Sequence, residues 1–580
     1  STFDETWKPV WGTAGQVRNR GSELAIRLRE TNAPQREMEL VFRAFDDGIA
    51  FRYILSAQSN LSEIAIASEE TQFRFAGNHT AWWHAVDYDG DEKTYNTTPL
   101  ADVQACNTPL TLRTEGGLHL SVHEAALVDY ASMTLVPVPG EAHALRCDLV
   151  PWPDGVKVRA TAPMTTPWRT VQLVDRAGGL LESHLLESLN APCAIADTSW
   201  IEPMKYMGIW WSLHIGKETW AAGATHGATT SNTTMHIDFA ASNGIRGLLV
   251  EGWNTGWESW FGGATFSFTE AYPDFDLESL AKYAREKGVA LIGHHETGGN
   301  IAAYESQMDA AFALYERLGI RAVKTGYAGK ILPEGQHHHG QWMINHYQRV
   351  TEKAAAHRIA LDVHEPIKPT GLCRTWPNLM TGEGVRGTEY EAWSDGNPPE
   401  HTTIIPFTRG LAGPIDYTPG IFAVTFPKYR ADRRVHTTVA KQLALYVVIY
   451  SPLQMAADLP ENYEGQPAFE FIREVPATWD ETRALDAAIG DFVAVARRKG
   501  DRWFIGVITD ENARELELPL SFLDPDREYE ARIFADGEEA DWEKNPTPVD
   551  IRAQTVRRDD TLRAKLARSG GQAIILSPKE

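Results

Sequence analysis

A chain of 580 residues is too long for one hydrophobic core and implies roughly two to four domains. With 43% apolar and 23% charged residues it has the composition of a folded globular protein, which excludes a disordered or fibrous one. Its 55 basic and 78 acidic residues leave a formal charge of −23, a field that disfavours nucleic acid and anionic membrane and suits a neutral substrate or a cation.

Residues 1–195 read as a β domain. Short, partly alternating segments at Glu39–Phe45, Ile49–Leu55, Gln72–Phe75, Leu118–His123 and Lys157–Ala160 are separated by the turn pairs Asp47-Gly48, Asp89-Gly90 and Gly116-Gly117. That rhythm predicts a large β-sandwich of the super-sandwich kind. Over 196–480 the period changes, and short apolar strands alternate with helical stretches, the mark of repeated βα units. The candidate strands are Tyr206–Leu213, Gly247–Trp253, Val289–His294, Ala322–Tyr327, Ala360–His364, Leu379–Gly382, Thr403–Phe407 and Leu445–Tyr450, with helices at Leu277–Lys287, Ala302–Leu318 and Tyr347–His357. This spacing predicts a (β/α)₈ TIM barrel. No nucleotide-binding glycine loop follows the first strand, which argues against a doubly wound sheet. Over 481–580 the strands lose their helices. Phe492–Arg497, Trp503–Thr509, Glu515–Pro519, Tyr529–Phe534 and Gln572–Leu576 predict a closing β-sandwich, with Asp510–Ala513 as a hairpin turn. The fold class is therefore multidomain, α/β plus β.

Cys106, Cys147, Cys193 and Cys373 form no C-x-x-C pair, which argues against a zinc or redox motif. No apolar run reaches the ~20 residues that span a bilayer. The 19 tryptophans lie largely beside Gly, His or Asp, and the flat C–H faces of sugars stack on indole.

In a barrel, polar residues at the C-terminal strand ends point into the site. Those ends read Glu251-Gly252-Trp253-Asn254, Gly293-His294-His295-Glu296, Lys324-Thr325-Gly326-Tyr327, His364-Glu365-Pro366 and Gly382-Glu383, followed by Gly387-Thr388-Glu389-Tyr390. Carboxylates packed together must share a proton, a cation or a substrate. Cleavage of a glycosidic bond needs one protonated carboxyl as acid and a second carboxylate to activate water or attack the sugar. Surplus glutamates suit Ca²⁺, which takes six to eight oxygen ligands, better than zinc. The run His337-His338-His339 reads as a surface loop, because consecutive side chains cannot face one ion on a regular element. Arg374–Asn378 lies between the fifth and sixth strands, as a candidate for the barrel mouth.

These motifs resemble glycoside hydrolase family 97, a family of bacterial α-glucosidases and α-galactosidases. The likeness covers nearly the whole chain. It rests on Phe42–Tyr53 and Tyr95–Leu100 in the first domain, and in the barrel on Lys205–Trp211, Gly293–Glu296, His364–Pro366, Gly371–Asn378, Gly387–Glu391 and Asp416–Gly420. The family's first domain starts earlier, which implies that some N-terminal strands are missing here. The resemblance makes Glu389 the general acid and Glu296 and Glu365 the carboxylates that activate water. It assigns Ca²⁺ to Glu365, Glu383 and Glu389, with Glu92 from the first domain ahead of Asp91, Glu69 and Glu70. His294, Lys324, His364 and Glu251 would contact sugar hydroxyls. In the retaining branch the fourth strand ends in a nucleophilic Asp; here Gly326 stands there, which matches the inverting, α-glucosidase-like branch. The expectation is a periplasmic, calcium-dependent exo-α-glucosidase acting on an oligosaccharide. A retaining α-galactosidase and a non-catalytic carbohydrate-binding protein are the alternatives.

Overall fold

The computed structural model describes residues 1–262 and 265–579. At its centre lie seven parallel strands: β1 (Met204–Ile209), β2 (Gly247–Val250), β3 (Ala290–Glu296), β4 (Ala322–Gly326), β5 (Ala360–Val363), β6 (Leu379–Gly382) and β7 (Leu453–Met455). Their order around the sheet is β6-β5-β4-β3-β2-β1-β7. The gap between β6 and β7 is bridged by the segment around Ile415, whose N–H donates to Tyr450 O at 2.9 Å while Asp416 N–H donates to Gly382 O at 3.1 Å. This segment stands where one more barrel strand would run. The result is a TIM-like, nearly closed parallel barrel. Helices Leu277–Glu286, Ile301–Leu318 and Gln341–Ala356 lie at the expected places outside it.

The first six strands overlap the positions the sequence gives them, although Trp211–Leu213, expected in the first strand, are helical; the last two do not. Residues 403–407 are helical, as parts of His401–Ile404 and Ile405–Phe407, and Pro406 stands in the first turn of the latter. Residues 445–448 end the helix Val439–Val448, which is buried on every side. An all-apolar run carries no period that separates a buried helix from a buried strand. This helix lies hard against the C-terminal sheet: a Cβ on Gly506 would come within 2.6 Å of Ala444 O.

The N-terminal domain packs a ten-stranded antiparallel sheet with a four-stranded one. The hairpin Thr80–Trp83 and Asn96–Pro99 carries the long loop 84–95, so Asp89-Gly90 sits at the reach of that loop rather than in a tight turn. The loop is anchored to the barrel. Asp89 Oδ1 accepts from His338 N and Nδ1, both at 3.0 Å, Asp89 Oδ2 lies 2.9 Å from His337 Nδ1, and His339 N–H donates to Tyr88 O. The three histidines therefore form a domain contact, with His338 and His339 buried, and not a surface loop. Their burial depends on a partner distant in sequence, which local reading cannot see.

The C-terminal domain has a six-stranded sheet and a two-stranded ribbon. Arg502–Thr509 pairs with Phe492–Lys499 and Gly571–Pro578, whereas Arg514–Pro519 pairs with Thr561–Leu566. Asp510–Ala513 is thus a crossing between sheets, not a hairpin turn.

Candidate active site

The strand ends converge. Glu296 closes β3, and its Oε1 accepts from Gly298 N at 2.7 Å and Ala328 N at 3.2 Å. In the register of β3 and β4, Glu296 faces Gly326. A Cβ on residue 326 would stand 2.8 Å from Glu296 Cδ and nearer still to Oε2. The Glu296 carboxylate therefore occupies the space that a longer side chain at 326 would use. After β5, Glu365 is held at φ 43°, a left-handed conformation costly for a residue with a Cβ, and its Oε2 accepts from Tyr327 N at 2.8 Å.

Lys324, on β4, is fully buried. Its Nζ lies 2.8 Å from Asp416 Oδ2 and 3.6 Å from Glu383 Oε1. His364 Nε2 is 3.6 Å from the same Glu383 oxygen, and single ligand atoms of His364, Glu365 and Glu383 all lie within 4.8 Å of one another. Glu251 accepts from Trp220 Nε1 at 2.9 Å and lies 3.7 Å from His294 Nε2. His294 stacks on Trp257 at 5.6 Å. Glu389 Oε2 is 3.8 Å from His214 Nε2, and the loop 84–95 delivers Glu92, whose Oε2 accepts from Tyr390 Oη at 2.7 Å. All the candidate residues of the barrel, with Glu92, thus gather at one mouth.

The other first-domain acids are engaged elsewhere. Glu69 is ion-paired with buried Arg169 at 2.6 Å, Glu70 lies beside Arg146, and Asp91 accepts from Asn107 between His84 and His339. Arg374 donates to the carbonyls of Glu187, Ser188 and Asn190 in the N-terminal domain, so it does not line the mouth.

Burial dominates the electrostatics. It pushes Glu389 up to about 8 and Glu296 up to about 7, with Glu92 adding to the first and Glu251 to the second. Glu365 and Glu383 are driven well above the carboxylate range by burial, and each is raised further by Glu92 and Glu389. Burial also raises Glu92 and Glu251. The same desolvation, with the charge of Lys324, keeps His294 and His364 neutral. For Lys324 burial works against the charge, yet Asp416 and Glu383 outweigh it and hold the ammonium. Burial and mutual repulsion thus favour the neutral form of these glutamates. The mouth also has the chemistry of a hard-cation site: Glu365 and Glu383 bring ligand oxygens together, and the charges of Glu92 and Glu389 act on both.

The sequence reading missed several groups beneath this layer. Asp362 lies two residues before His364, hence on the same face of β5. Burial and the neighbouring Asp416 drive its carboxyl well above the usual range. Tyr206 Oη donates to Asp416 at 3.1 Å. The period of two was available as a signal for Asp362. Asp416 belongs to the strand position the sequence misplaced, and His214 stands in a helical turn after β1 where no strand-end rule reaches.

Family models match along the chain: Glycosyl-hydrolase 97 N-terminal at 1–192, Glycoside hydrolase 97 at 210–385, and Glycosyl-hydrolase 97 C-terminal, oligomerisation, at 478–577. A "Retaining alpha-galactosidase" of Bacteroides thetaiotaomicron is 30% identical over 628 aligned positions, covering 99% of this chain and 87% of that protein. A "Probable retaining alpha-galactosidase" of Streptomyces bingchenggensis is 29% identical, covering 96% and 79%. A solved family 97 enzyme from Pseudoalteromonas sp. strain K8, in complex with acarbose, superposes with a TM-score of 0.97 at 45% identity, covering 100% of this chain and 91% of that one. With three domain models and a full-length relative in agreement, the chain belongs to glycoside hydrolase family 97.

Proposed function

We propose that the protein is a calcium-dependent, exo-acting α-glucosidase that cleaves terminal α-glucosidic bonds of malto-oligosaccharide-type substrates with inversion. The observation that carries this reading is the pairing of Glu296 with Gly326. A retaining enzyme needs a side-chain nucleophile, and glycine offers none. A carboxylate held by two backbone N–H groups fills that space and is oriented to draw a proton from water.

In the proposed single displacement, Glu389 gives its proton to the departing glycosidic oxygen. Burial, with the neighbouring Glu92, favours its protonated form. Glu296, assisted by Glu365, directs water to the opposite face of the sugar; inverting enzymes seat that water between carboxyls roughly 6.5–9.5 Å apart. Lys324, His294, His364 and Glu251 hold the hydroxyls of the terminal sugar, the neutral imidazoles accepting or donating without added charge. Glu92, Glu365, Glu383 and Glu389 would hold Ca²⁺, which when bound supplies positive charge to position the sugar. The loop that carries Glu92 closes one side of the mouth, which suits attack at a chain end.

The Pseudoalteromonas relative with acarbose, and its variant in complex with panose, support an α-glucoside substrate, since panose is an α-linked glucose trisaccharide. The second reading, a retaining α-galactosidase, is favoured by the printed names of the 30% and 29% identical relatives. Release of 4-nitrophenol from the α-glucoside and the α-galactoside, with and without EDTA, separates the two. Faster turnover of the galactoside, or rates indifferent to EDTA, contradicts the proposal.

A further inference from the structure

We propose that Trp393 is the platform on which the leaving-group sugar rests while the bond at Glu389 is cut, so that it sets which leaving groups the enzyme accepts. The proposal rests on Glu389 being the acid. Trp393 ends the short helix Tyr390–Trp393 that begins directly after Glu389. The tryptophans deeper in the barrel, Trp210, Trp211, Trp253 and Trp257, are buried, whereas Trp393 is 44% exposed.

Exposure here goes with a fixed position. The indole Nε1–H donates to His214 Nδ1 at 3.1 Å, and the ring lies 4.5 Å from that of Tyr390. Tyr390 is itself held by Glu92 and by the Arg386 guanidinium, 4.1 Å from its ring centre. Because Nδ1 of His214 accepts, its proton sits on Nε2, the nitrogen that faces Glu389 Oε2 at 3.8 Å. One histidine therefore stands between the exposed indole and the acid.

The glycosidic oxygen must sit at Glu389 to take its proton, so the departing ring extends outward from that carboxyl. A preorganised indole face at this place offers apolar area without a cost in side-chain ordering. Such a surface takes flat-faced leaving groups, a glucosyl ring or an aryl group, and has nothing to grip in a small anion.

The test compares Trp393→Ala and Trp393→Phe on maltose, 4-nitrophenyl α-glucoside and α-glucosyl fluoride. Fluoride leaves without a ring to stack, and 4-nitrophenolate leaves without needing a proton, so loss of stacking is separable from loss of acid catalysis. Relative to the fluoride, kcat/KM of Trp393→Ala falls about tenfold on both other substrates, chiefly through KM, and Trp393→Phe recovers most of it. An equal loss on all three substrates overturns the proposal. So does a Phe variant as poor as the Ala variant, or a loss on maltose alone, because either marks a role through His214 instead. Wild-type enzyme that turns over neither maltose nor α-glucosyl fluoride refutes the proposed function itself, a result visible before any variant is made.

Discussion

Replacing Gly326 by alanine adds one methyl group where the Glu296 carboxylate now lies. The new Cβ would stand 2.8 Å from Glu296 Cδ. Carbon atoms rest at ~3.5–4.0 Å, so the carboxylate must retreat by about 1 Å. Its Oε1 is bound by Gly298 N at 2.7 Å and Ala328 N at 3.2 Å, and the longer of these bonds cannot survive that shift. A reacting group misplaced by ~1 Å costs on the order of 10²-fold in rate. Overpacking of this size costs ~1–3 kcal/mol, which shifts the melting temperature of a large domain by only several degrees. The expected variant is therefore folded, binds calcium, and turns over maltose about 100-fold more slowly. The assay is kcat by glucose release, with circular dichroism melting beside it. Turnover within about threefold of wild type would refute the placement of the base.

Glu389→Gln should lose ~10²–10⁴-fold on maltose, the usual worth of a general acid, and far less on α-glucosyl fluoride, whose leaving group needs no proton. Equal losses on the two substrates would remove Glu389 from that role. Calcium at 100 times its Kd should stabilise the protein by ~2.7 kcal/mol through mass action, and Glu383→Gln should weaken the rise in melting temperature. An unchanged rise in the variant would exclude Glu383 as a ligand. Although burial alone would raise it, hydrogen bonds from His338 and then His337 hold Asp89 below its ordinary value of 3.8. Its contribution is present above that pH and fades as pH falls through the lower folded value. Asp89→Asn should thus lower urea stability at pH 7, and the gap to wild type should narrow below pH 4; a gap constant with pH would contradict the clamp.

The catalytic mouth was legible because barrel strands end in runs whose polar tips break an apolar pattern, as His294–Glu296 and His364-Glu365 do. Five strands carried that contrast. The helix Val439–Val448 did not, since burial on every side erases the period that would mark it. The barrel's remaining strand position, at Ile415, is a single bridge behind Pro414, too short to register as a strand. His337–His339 and Asp89 each look like loop residues alone; only the folded contact between two domains explains their burial. His214 and Trp393 were hidden for a related reason: their pairing spans most of the barrel, and neither lies at a strand end.

The central claim is that water, not a side chain, attacks the sugar. Proton NMR of the reaction in its first moments, before mutarotation mixes the anomers, observes this directly. With maltose or 4-nitrophenyl α-glucoside, β-glucose should appear first and α-glucose only as mutarotation proceeds. An α anomer formed first would mean double displacement, and with it a nucleophile that Gly326 cannot be.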